Sequence, residues 1–136
     1  MVKMNVVYQG DLRCQLTHEQ SGTMITTDAP KDNMGKGESF SPTDLVAAAL
    51  SSCMMTVMGI VAQRHAIDLK GTRVDVVKEM VTTPFRRIGS IQVDLHMPRG
   101  LSPEQRAILE NAANTCPVHK SLHPDVATPI KFHYSD

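Results

Sequence analysis

Two of the three cysteines in this 136-residue sequence have the placement that a redox pair requires. Cys53 lies within an apolar stretch with helical spacing, and Cys116 comes at the foot of a second predicted helix, directly before Pro117. Where a fold brings two such thiols together, a substrate can oxidise one and the other can close a disulfide onto it. Free cysteine is also among the most buried residue types, so packing is the alternative interpretation for both thiols. Cys14, which alternates with polar neighbours in a predicted strand, is expected to be structural.

The two thiols are predicted to differ in reactivity. The thiolate is the reactive form, and an ordinary thiol has a pKa of about 8.5. Cys53 lies mid-helix, whereas Cys116 lies at a helix C-terminus, where the partial negative charge of the helix dipole opposes ionisation. This contrast favours Cys53 as the attacking thiol and Cys116 as the resolving thiol. Cys53 then needs a cationic partner from elsewhere in the chain, and the candidates are Arg13, Arg86 and Arg87.

The elements that must position these residues follow the order strands, long helix, strand pair, helix, strand. This order predicts a single α+β domain over residues 1–136. The long helix has the clearest start, because Ser41 suits the cap, Pro42 suits the first helical position and Asp44 complements the helix dipole. Strands are predicted at residues 2–8, 12–17, 23–27, 72–81, 88–97 and 129–134, and helices from 41 to about 65 and from 102 to before 117.

Two apolar patterns predict which faces are buried. One is a stripe at helical spacing, which places Cys53 on the apolar face of the long helix. The other is strand alternation, which directs four side chains of the fifth strand toward the core. The helical stripe comprises Val46, Leu50, Cys53, Met54, Val57, Met58 and Val61, and the strand face comprises Ile91, Val93, Leu95 and Met97.

The composition argues against some functional classes. With 14 basic and 14 acidic side chains the formal net charge is zero, which argues against a nucleic acid partner because phosphate binding favours a basic surface. A sequence with 4% aromatic residues and nine Met favours oligomerisation, because few large side chains are available for a core. The apolar region from residue 45 to 62 is interrupted by polar residues, which indicates a buried helix rather than a membrane span. The N-terminus has no signal-peptide pattern, so the predicted location is the cytoplasm.

Two segments around the cysteines resemble one known family. Residues 41–53, SPTDLVAAALSSC, are similar to the helix that carries the first cysteine in the OsmC/Ohr superfamily of osmotically induced and organic hydroperoxide resistance proteins. Residues 114–122, NTCPVHKSL, resemble the second cysteine motif of that family, including its Cys-Pro-Val core. The similarity extends over nearly the whole chain. Its pattern is closer to the uncharacterised OsmC-like branch than to the dedicated hydroperoxidases.

The resemblance implies both a fold and an activity. The implied fold is an intertwined homodimer in which a long central helix bearing Cys53 packs between antiparallel sheets, with each active site at the subunit interface. The implied activity is that of a thiol peroxidase that reduces organic hydroperoxides in oxidative-stress defence. Cys53 would become a sulfenic acid, Cys116 would condense with it to a disulfide, and an external dithiol would reduce the pair. The resemblance implies no metal and no organic cofactor.

Beyond the cysteines, the chain follows the family pattern only in part. The peroxidases of the family use an arginine near the first hairpin, where this chain has Arg13. They also use a glutamate directly after the helix-start proline, where this chain has Thr43, with Asp44 one place further. A shift of one residue turns a helical side chain by about 100°, so Asp44 is not a direct substitute. Glu38, in the loop before the helix, is the alternative carboxylate if that loop folds over the arginine.

Two other interpretations remain open. Cys116, His119 and His123 form a C-x2-H-x3-H pattern that resembles part of a zinc site, and a closed zinc site needs a fourth ligand. That ligand would have to come from His18, His65 or Cys53.

The second interpretation is a non-catalytic dimeric protein that binds a small hydrophobic molecule beside Cys53. The pocket would be fringed by Met54, Met55 and Met58, although core or dimer packing is the favoured role of those side chains.

Overall fold

The computed structural model describes residues 1–135 and has the mixed α+β order that the sequence predicts. The chain divides into two compact units, Met1–Val46 and a unit that begins at Ala47, and the division falls inside the long helix. The described elements are β1 Met4–Gly10, β2 Arg13–His18, β3 Met24–Asp28, a 3-10 turn Lys31–Asn33, α1 Pro42–Arg64, β4 Arg73–Val81, β5 Arg87–His96, α2 Pro103–Ala113, α3 Pro117–Ser121 and β6 Ile130–His133.

The first unit contains an antiparallel sheet in the order β1-β2-β3. A tight turn joins β1 to β2, where Gly10 has a φ of 88° and Asp11 and Leu12 also adopt positive φ. Glycine suits this conformation because it has no Cβ to clash. The register shifts at the end of β1 and leaves Gly10 opposite Arg13, the first residue of β2. Across the β2–β3 pair, Arg13 lies directly opposite Asp28, so the register brings a cation beside a carboxylate.

The start of α1 agrees with the sequence prediction. The Ser41 hydroxyl accepts a hydrogen bond from the Asp44 N–H at 3.1 Å, and the Asp44 carboxylate accepts one from the Ser41 N–H at 2.9 Å. This reciprocal pair satisfies two backbone N–H groups at the start of the helix, as a capping box does. Pro42 occupies the first helical position, where its missing N–H removes no helical hydrogen bond.

The buried stripe of α1 is narrower than its apolar pattern. Leu50, Met54 and Met58 are fully buried, whereas the valines of the predicted stripe are half-buried. The other buried residues of α1 are small: Ala47, Ser51 and Ala62. Cys53 lies at the border of this stripe and is half-buried. By length and composition alone α1 could cross a membrane, with a mean hydropathy of 2.1, but the core helix of a soluble protein passes the same test. The three buried side chains give α1 the role of a core helix.

The second unit contains a mixed sheet in the order β4-β5-β6. β4 and β5 pair antiparallel, and the predicted inward face of β5, from Ile91 to Met97, is buried. β6 pairs parallel to β5, because the chain returns to the sheet through a crossover that contains α2 and α3. The expectation of antiparallel sheets therefore holds for β1–β5, and β6 adds a parallel strand.

The sequence prediction missed α3. α2 begins with a capping box between Ser102 and Gln105 and ends at Ala113, in agreement with the predicted stop before Pro117. α3 begins at Pro117, and Cys116 is its N-cap residue. Cys116 therefore lies between two helices rather than only at the end of one.

Candidate active site

The two thiols of the predicted redox pair meet within the second unit. The Cys116 side chain is fully buried, and its thiol lies within hydrogen-bonding reach of the half-buried Cys53 thiol. The Cys116 sulfur also lies 3.9 Å from the carbonyl oxygen of Leu50, which is about one helical turn before Cys53 on α1. α1 and the N-cap of α3 thus bring together two cysteines that are far apart in the sequence, and both are free thiols.

The pKa of the Cys116 thiol is raised above its ordinary value. Burial is the largest cause because it disfavours the charged form, and the neighbouring Cys53 thiol acts in the same direction. The backbone N–H groups of His119 and Val118 oppose both effects, and that of His119 donates to the Cys116 sulfur at 3.5 Å. Cys116 is thus a thiol that resists ionisation. The cause is burial, not the C-terminal dipole of α2 on which the sequence prediction was based.

His119 links this helix cap to the sheet of the second unit. Its ring Nε2 lies 2.9 Å from the hydroxyl oxygen of Thr128, two residues before β6 begins. Its other ring nitrogen, Nδ1, is buried and has no hydrogen-bond partner among the described residues. Sequence reasoning considered His119 only as a zinc ligand.

The zinc interpretation finds no support in the geometry. Within residues 1–135, no group of three or more His, Cys, Asp or Glu side chains could hold a metal ion. The two histidines of the pattern have other contacts, since His119 pairs with Thr128 and the His123 ring accepts the backbone N–H of Asp125 at 3.0 Å.

A second group of candidate residues lies in the first unit, and we call Arg13, Asp28 and Glu38 the arginine cluster. The Arg13 guanidinium lies 3.2 Å from Asp28 Oδ2 and 3.6 Å from Glu38 Oε2. The Glu38 N–H donates to the same Asp28 oxygen at 2.9 Å. The loop before α1 therefore brings Glu38 to the arginine, which is the arrangement that the sequence analysis required of it.

Asp28 is the member of the cluster that sequence reasoning missed. Its side chain is 0% exposed, and its Oδ1 has no hydrogen-bond partner in the part of the chain that the structure describes. The Glu38 N–H, and next the Arg13 guanidinium, hold the pKa of Asp28 below its ordinary value against the opposite effect of burial. Asp28 in turn raises the pKa of Arg13. The available sequence signal was the hairpin register, which places Asp28 across from Arg13 once β2 and β3 are paired.

The remaining candidates have other surroundings. The Arg87 guanidinium donates to the carbonyl oxygens of Ile88 and Asp125, each at 3.4 Å. Arg86 is exposed in the hairpin between β4 and β5. Cys14 is half-buried in β2, where it pairs with neighbouring strands on both sides. These surroundings suit the structural role predicted for Cys14.

The side chains proposed to fringe a ligand pocket beside Cys53 are mostly core residues. Met54 and Met58 are fully buried, and Met55 is half-buried. An apolar pocket of about 240 Å³ lies in the first unit instead, and its lining residues are Met4, Leu16, Thr17, His18, Thr23 and Ile25.

The fold and the site together define a class of α+β proteins with two thiols. The class is marked by two three-stranded sheets and by a long helix whose half-buried Cys53 lies beside the buried Cys116. A comparison with protein families matches residues 35–131, which include both cysteines, to the family described as OsmC-like protein. The chain belongs to the OsmC-like family.

Solved structures agree with this assignment. A proposed osmotic stress induced and detoxification response protein from Psychrobacter arcticus is 46% identical with a TM-score of 0.91, over 98% of this chain and 96% of that one. An organic hydroperoxide resistance protein OsmC from Legionella pneumophila is 16% identical with a TM-score of 0.77, over 97% and 96%. An OsmC like protein from Mycoplasma pneumoniae is 15% identical with a TM-score of 0.82, over 100% and 98%. The latter two similarities show the fold alone. No curated protein sequence gives a significant match.

Proposed function

We propose that this protein is a thiol-dependent peroxidase that reduces organic hydroperoxides in oxidative-stress defence. The observation that carries the proposal is the thiol pair, in which a fully buried Cys116 lies within hydrogen-bonding reach of a half-buried Cys53. A nearby second thiol protects a sulfenic acid from further oxidation. The family supports the same chemistry, because its fold is shared with an organic hydroperoxide resistance protein.

Cys53 is the peroxide-reactive thiol in this proposal, because its partial exposure gives a substrate a route that the buried Cys116 lacks. The Cys53 thiolate attacks the O–O bond of the hydroperoxide. An S–O bond forms, the O–O bond breaks, and the leaving alkoxide takes up a proton to become the alcohol. Cys53 is oxidised to a sulfenic acid while the hydroperoxide is reduced.

Cys116 then resolves the sulfenic acid. An S–S bond forms, the S–O bond of Cys53 breaks, and the hydroxyl group leaves with the thiol proton of Cys116 as water. An external dithiol restores both thiols by exchange, and its thiolate attacks the Cys53 sulfur because the Cys116 sulfur is buried. One dithiol is oxidised for each hydroperoxide reduced.

Arg13 is proposed as the partner of the Cys53 thiolate and of the peroxide oxygens, with Glu38 as the carboxylate that orients it. A guanidinium favours the thiolate and stabilises negative charge as the O–O bond breaks. The contacts of Asp28 and Glu38 with the guanidinium support this role, because they restrict its orientation. Asp44 is not a substitute for the family's glutamate, since its carboxylate caps α1.

We further propose that residues 1–136 act as one OsmC-like domain in a cytoplasmic homodimer. β1 supports the dimer, because a single copy leaves Met4, Val6, Val7 and Tyr8 all more than half exposed. Alternate residues of a strand share a face, so Met4, Val6 and Tyr8 form one exposed apolar patch, and such patches mark interaction surfaces.

The expected preference for organic over inorganic peroxide has separate support. The Phe40 side chain is 56% exposed two residues after Glu38, and it offers an apolar surface to the organic group of such a substrate.

Steady-state peroxide consumption with a small dithiol as reductant tests the proposal. The wild-type protein is expected to consume cumene hydroperoxide faster than hydrogen peroxide, and Cys53→Ser is expected to lose at least about 1,000-fold in rate. Cys14→Ser is the matched control and should retain turnover. Equal turnover in Cys53→Ser would contradict the enzyme proposal and favour a non-catalytic dimer that binds a small hydrophobic ligand. A clear preference for hydrogen peroxide would contradict the substrate class.

A further inference from the structure

His119 makes two contacts that connect the Cys116 sulfur to the sheet of the second unit. Its backbone N–H donates to the Cys116 sulfur at 3.5 Å, and its ring Nε2 lies 2.9 Å from Thr128 Oγ1. One residue therefore joins the cap of α3 to the segment that leads into β6. We call the ring–hydroxyl contact of His119 and Thr128 the α3 tether.

Thr128 is a firm anchor because its chain neighbours are hydrogen-bonded to β5. The Ala127 N–H donates to Gly89 O at 3.0 Å, the Ala127 carbonyl accepts from Ile91 N–H at 2.8 Å, and the Pro129 carbonyl accepts from Val93 N–H at 2.9 Å. Thr128 is thus flanked on both sides by residues paired with a core strand.

α3 cannot supply comparable rigidity by itself. It has five residues, Pro117–Ser121, and isolated helices shorter than about 12 residues are marginal in water. The orientation of its N-cap residue, Cys116, must therefore depend on tertiary contacts. The α3 tether transmits the rigidity of the sheet to this short helix.

The tether also depends on a single ring atom of His119. The other ring nitrogen, Nδ1, is buried without a hydrogen-bond partner among residues 1–135, so it gives the ring no second polar anchor. A buried polar atom left unpaired is destabilising, and stability alone does not account for a histidine here.

We propose that His119 is a positioning residue for the resolving step, in which it holds the Cys116 sulfur toward Cys53 by way of Thr128. This inference rests on the proposed function. The step it assists is Cys53–SOH + Cys116–SH → Cys53–S–S–Cys116 + H₂O. In this condensation the Cys116 sulfur is oxidised, the Cys53 sulfur is reduced, and the thiol proton leaves with the hydroxyl group. A disulfide requires sulfurs about 2.05 Å apart with a restricted dihedral angle, so a loosely held Cys116 condenses more slowly.

Rapid-quench experiments with one equivalent of cumene hydroperoxide test the inference, because they separate sulfenic acid formation from disulfide formation. Thr128→Val removes the hydroxyl, and His119→Asn removes the nitrogen that reaches it. Each should slow disulfide formation by about tenfold, the effect expected for one hydrogen bond of about 1.4 kcal/mol. His119→Gln places a side-chain nitrogen at a similar reach and Thr128→Ser keeps the hydroxyl, so both should restore most of the rate.

Two controls distinguish positioning from general damage to the fold. Sulfenic acid formation, trapped with a carbon nucleophile in the Cys116→Ser background, should be the same with and without Thr128→Val. Ser121→Ala removes a hydrogen bond within α3 itself, to Pro117 O at 2.8 Å, and should leave disulfide formation unchanged.

Unchanged disulfide formation in Thr128→Val and His119→Asn, in a series where the wild type does form the disulfide, would overturn the inference. Equal slowing of both steps would also overturn it, because the effect would then be structural. If the wild type forms no disulfide at all, the proposed function fails, and that result is distinct from either of these.

Discussion

The thiol pair and the arginine cluster reach their geometry by opposite means. The thiol pair is held by helix packing, with Cys53 on α1 and Cys116 at the cap of α3. The arginine cluster is held by charge and strand register, with Arg13 opposite Asp28 and a loop N–H on the carboxylate. Burial raises the pKa of Cys116, whereas hydrogen bonds lower the pKa of Asp28 although its side chain is buried too. Burial therefore opposes ionisation in both regions, and only the arginine cluster has the partners to overcome it.

The two regions share one feature. Each has a buried side-chain polar atom with no hydrogen-bond partner, Asp28 Oδ1 within the arginine cluster and His119 Nδ1 beside the thiol pair, and residues 1–135 contain no further case. Such atoms are rare because they lose hydration without gaining a hydrogen bond. Their restriction to the two candidate regions supports a functional rather than a purely structural role for both.

The largest loss of activity among the variants of the arginine cluster is expected from Arg13→Lys. Lysine keeps the charge but loses the planar guanidinium, whose Nη2 contacts both carboxylates, so kcat/KM for cumene hydroperoxide should fall by about 100-fold. Arg87→Lys, which alters a guanidinium bonded to backbone carbonyls, is the control and should keep its activity. Full activity in Arg13→Lys would show that peroxide reduction by the thiol pair does not depend on the arginine cluster.

The pH dependence of the resolving step tests the thiol side. Because the pKa of Cys116 is raised, this thiol is protonated at neutral pH. Its condensation with the sulfenic acid should therefore accelerate by up to about tenfold for each unit by which the pH increases toward that pKa. Rapid-quench measurement of disulfide formation between about pH 6 and pH 9 checks this expectation. A rate that does not change over this range would show that Cys116 does not attack as a thiolate formed from a thiol of raised pKa.

Asp28→Asn tests the charged side through stability. A carboxyl group with a lowered pKa in the folded state stabilises the fold above its ordinary pKa, and this contribution is lost as the pH falls toward the folded-state value. The variant should therefore have a lower Tm at neutral pH and a shallower loss of stability between about pH 5 and pH 2. Asp125→Asn changes an exposed carboxylate and serves as the control. Identical acid-unfolding profiles for Asp28→Asn and wild type would contradict the assignment.

The smallest effect is expected from Glu38→Gln. The Glu38 side chain is 61% exposed and lies 3.6 Å from Arg13, so solvent weakens the ion pair, and kcat/KM should fall by less than about fivefold. Glu104→Gln, at the exposed start of α2, is the matched control. A loss as large as that of Arg13→Lys would mean that Glu38, rather than Asp28, is the main support of the guanidinium.

The parts of the fold that the sequence predicted are those set by local chemistry. The cap at Ser41 and the alternation from Ile91 to Met97 depend on neighbouring residues and one buried face, and both agree with the structure. α3 escaped prediction because five residues carry too little periodicity for a pattern. The parallel pairing of β6 also depends on how a distant crossover returns, which no local pattern encodes.

The candidate site divides in the same way. Cys53, Cys116 and Arg13 were selected from residue type and from family resemblance, whereas Asp28 became visible only through strand register. The raised pKa of Cys116 could not be derived from sequence position either, because its main cause is burial by residues distant in the chain. Sequence position identified which groups could react, and tertiary packing determined how they are tuned.

Thiol counting after a single oxidation tests the central claim most directly. Fully reduced protein would receive one equivalent of cumene hydroperoxide, and free thiols and intact mass would be measured for wild type, Cys53→Ser and Cys116→Ser side by side. The account predicts that the wild type loses two of its three thiols and the mass of two hydrogens, and that neither variant does. Three intact thiols in the wild type after prolonged exposure would contradict the two-cysteine cycle. The family assignment would stand, but the proposed peroxidase activity would not.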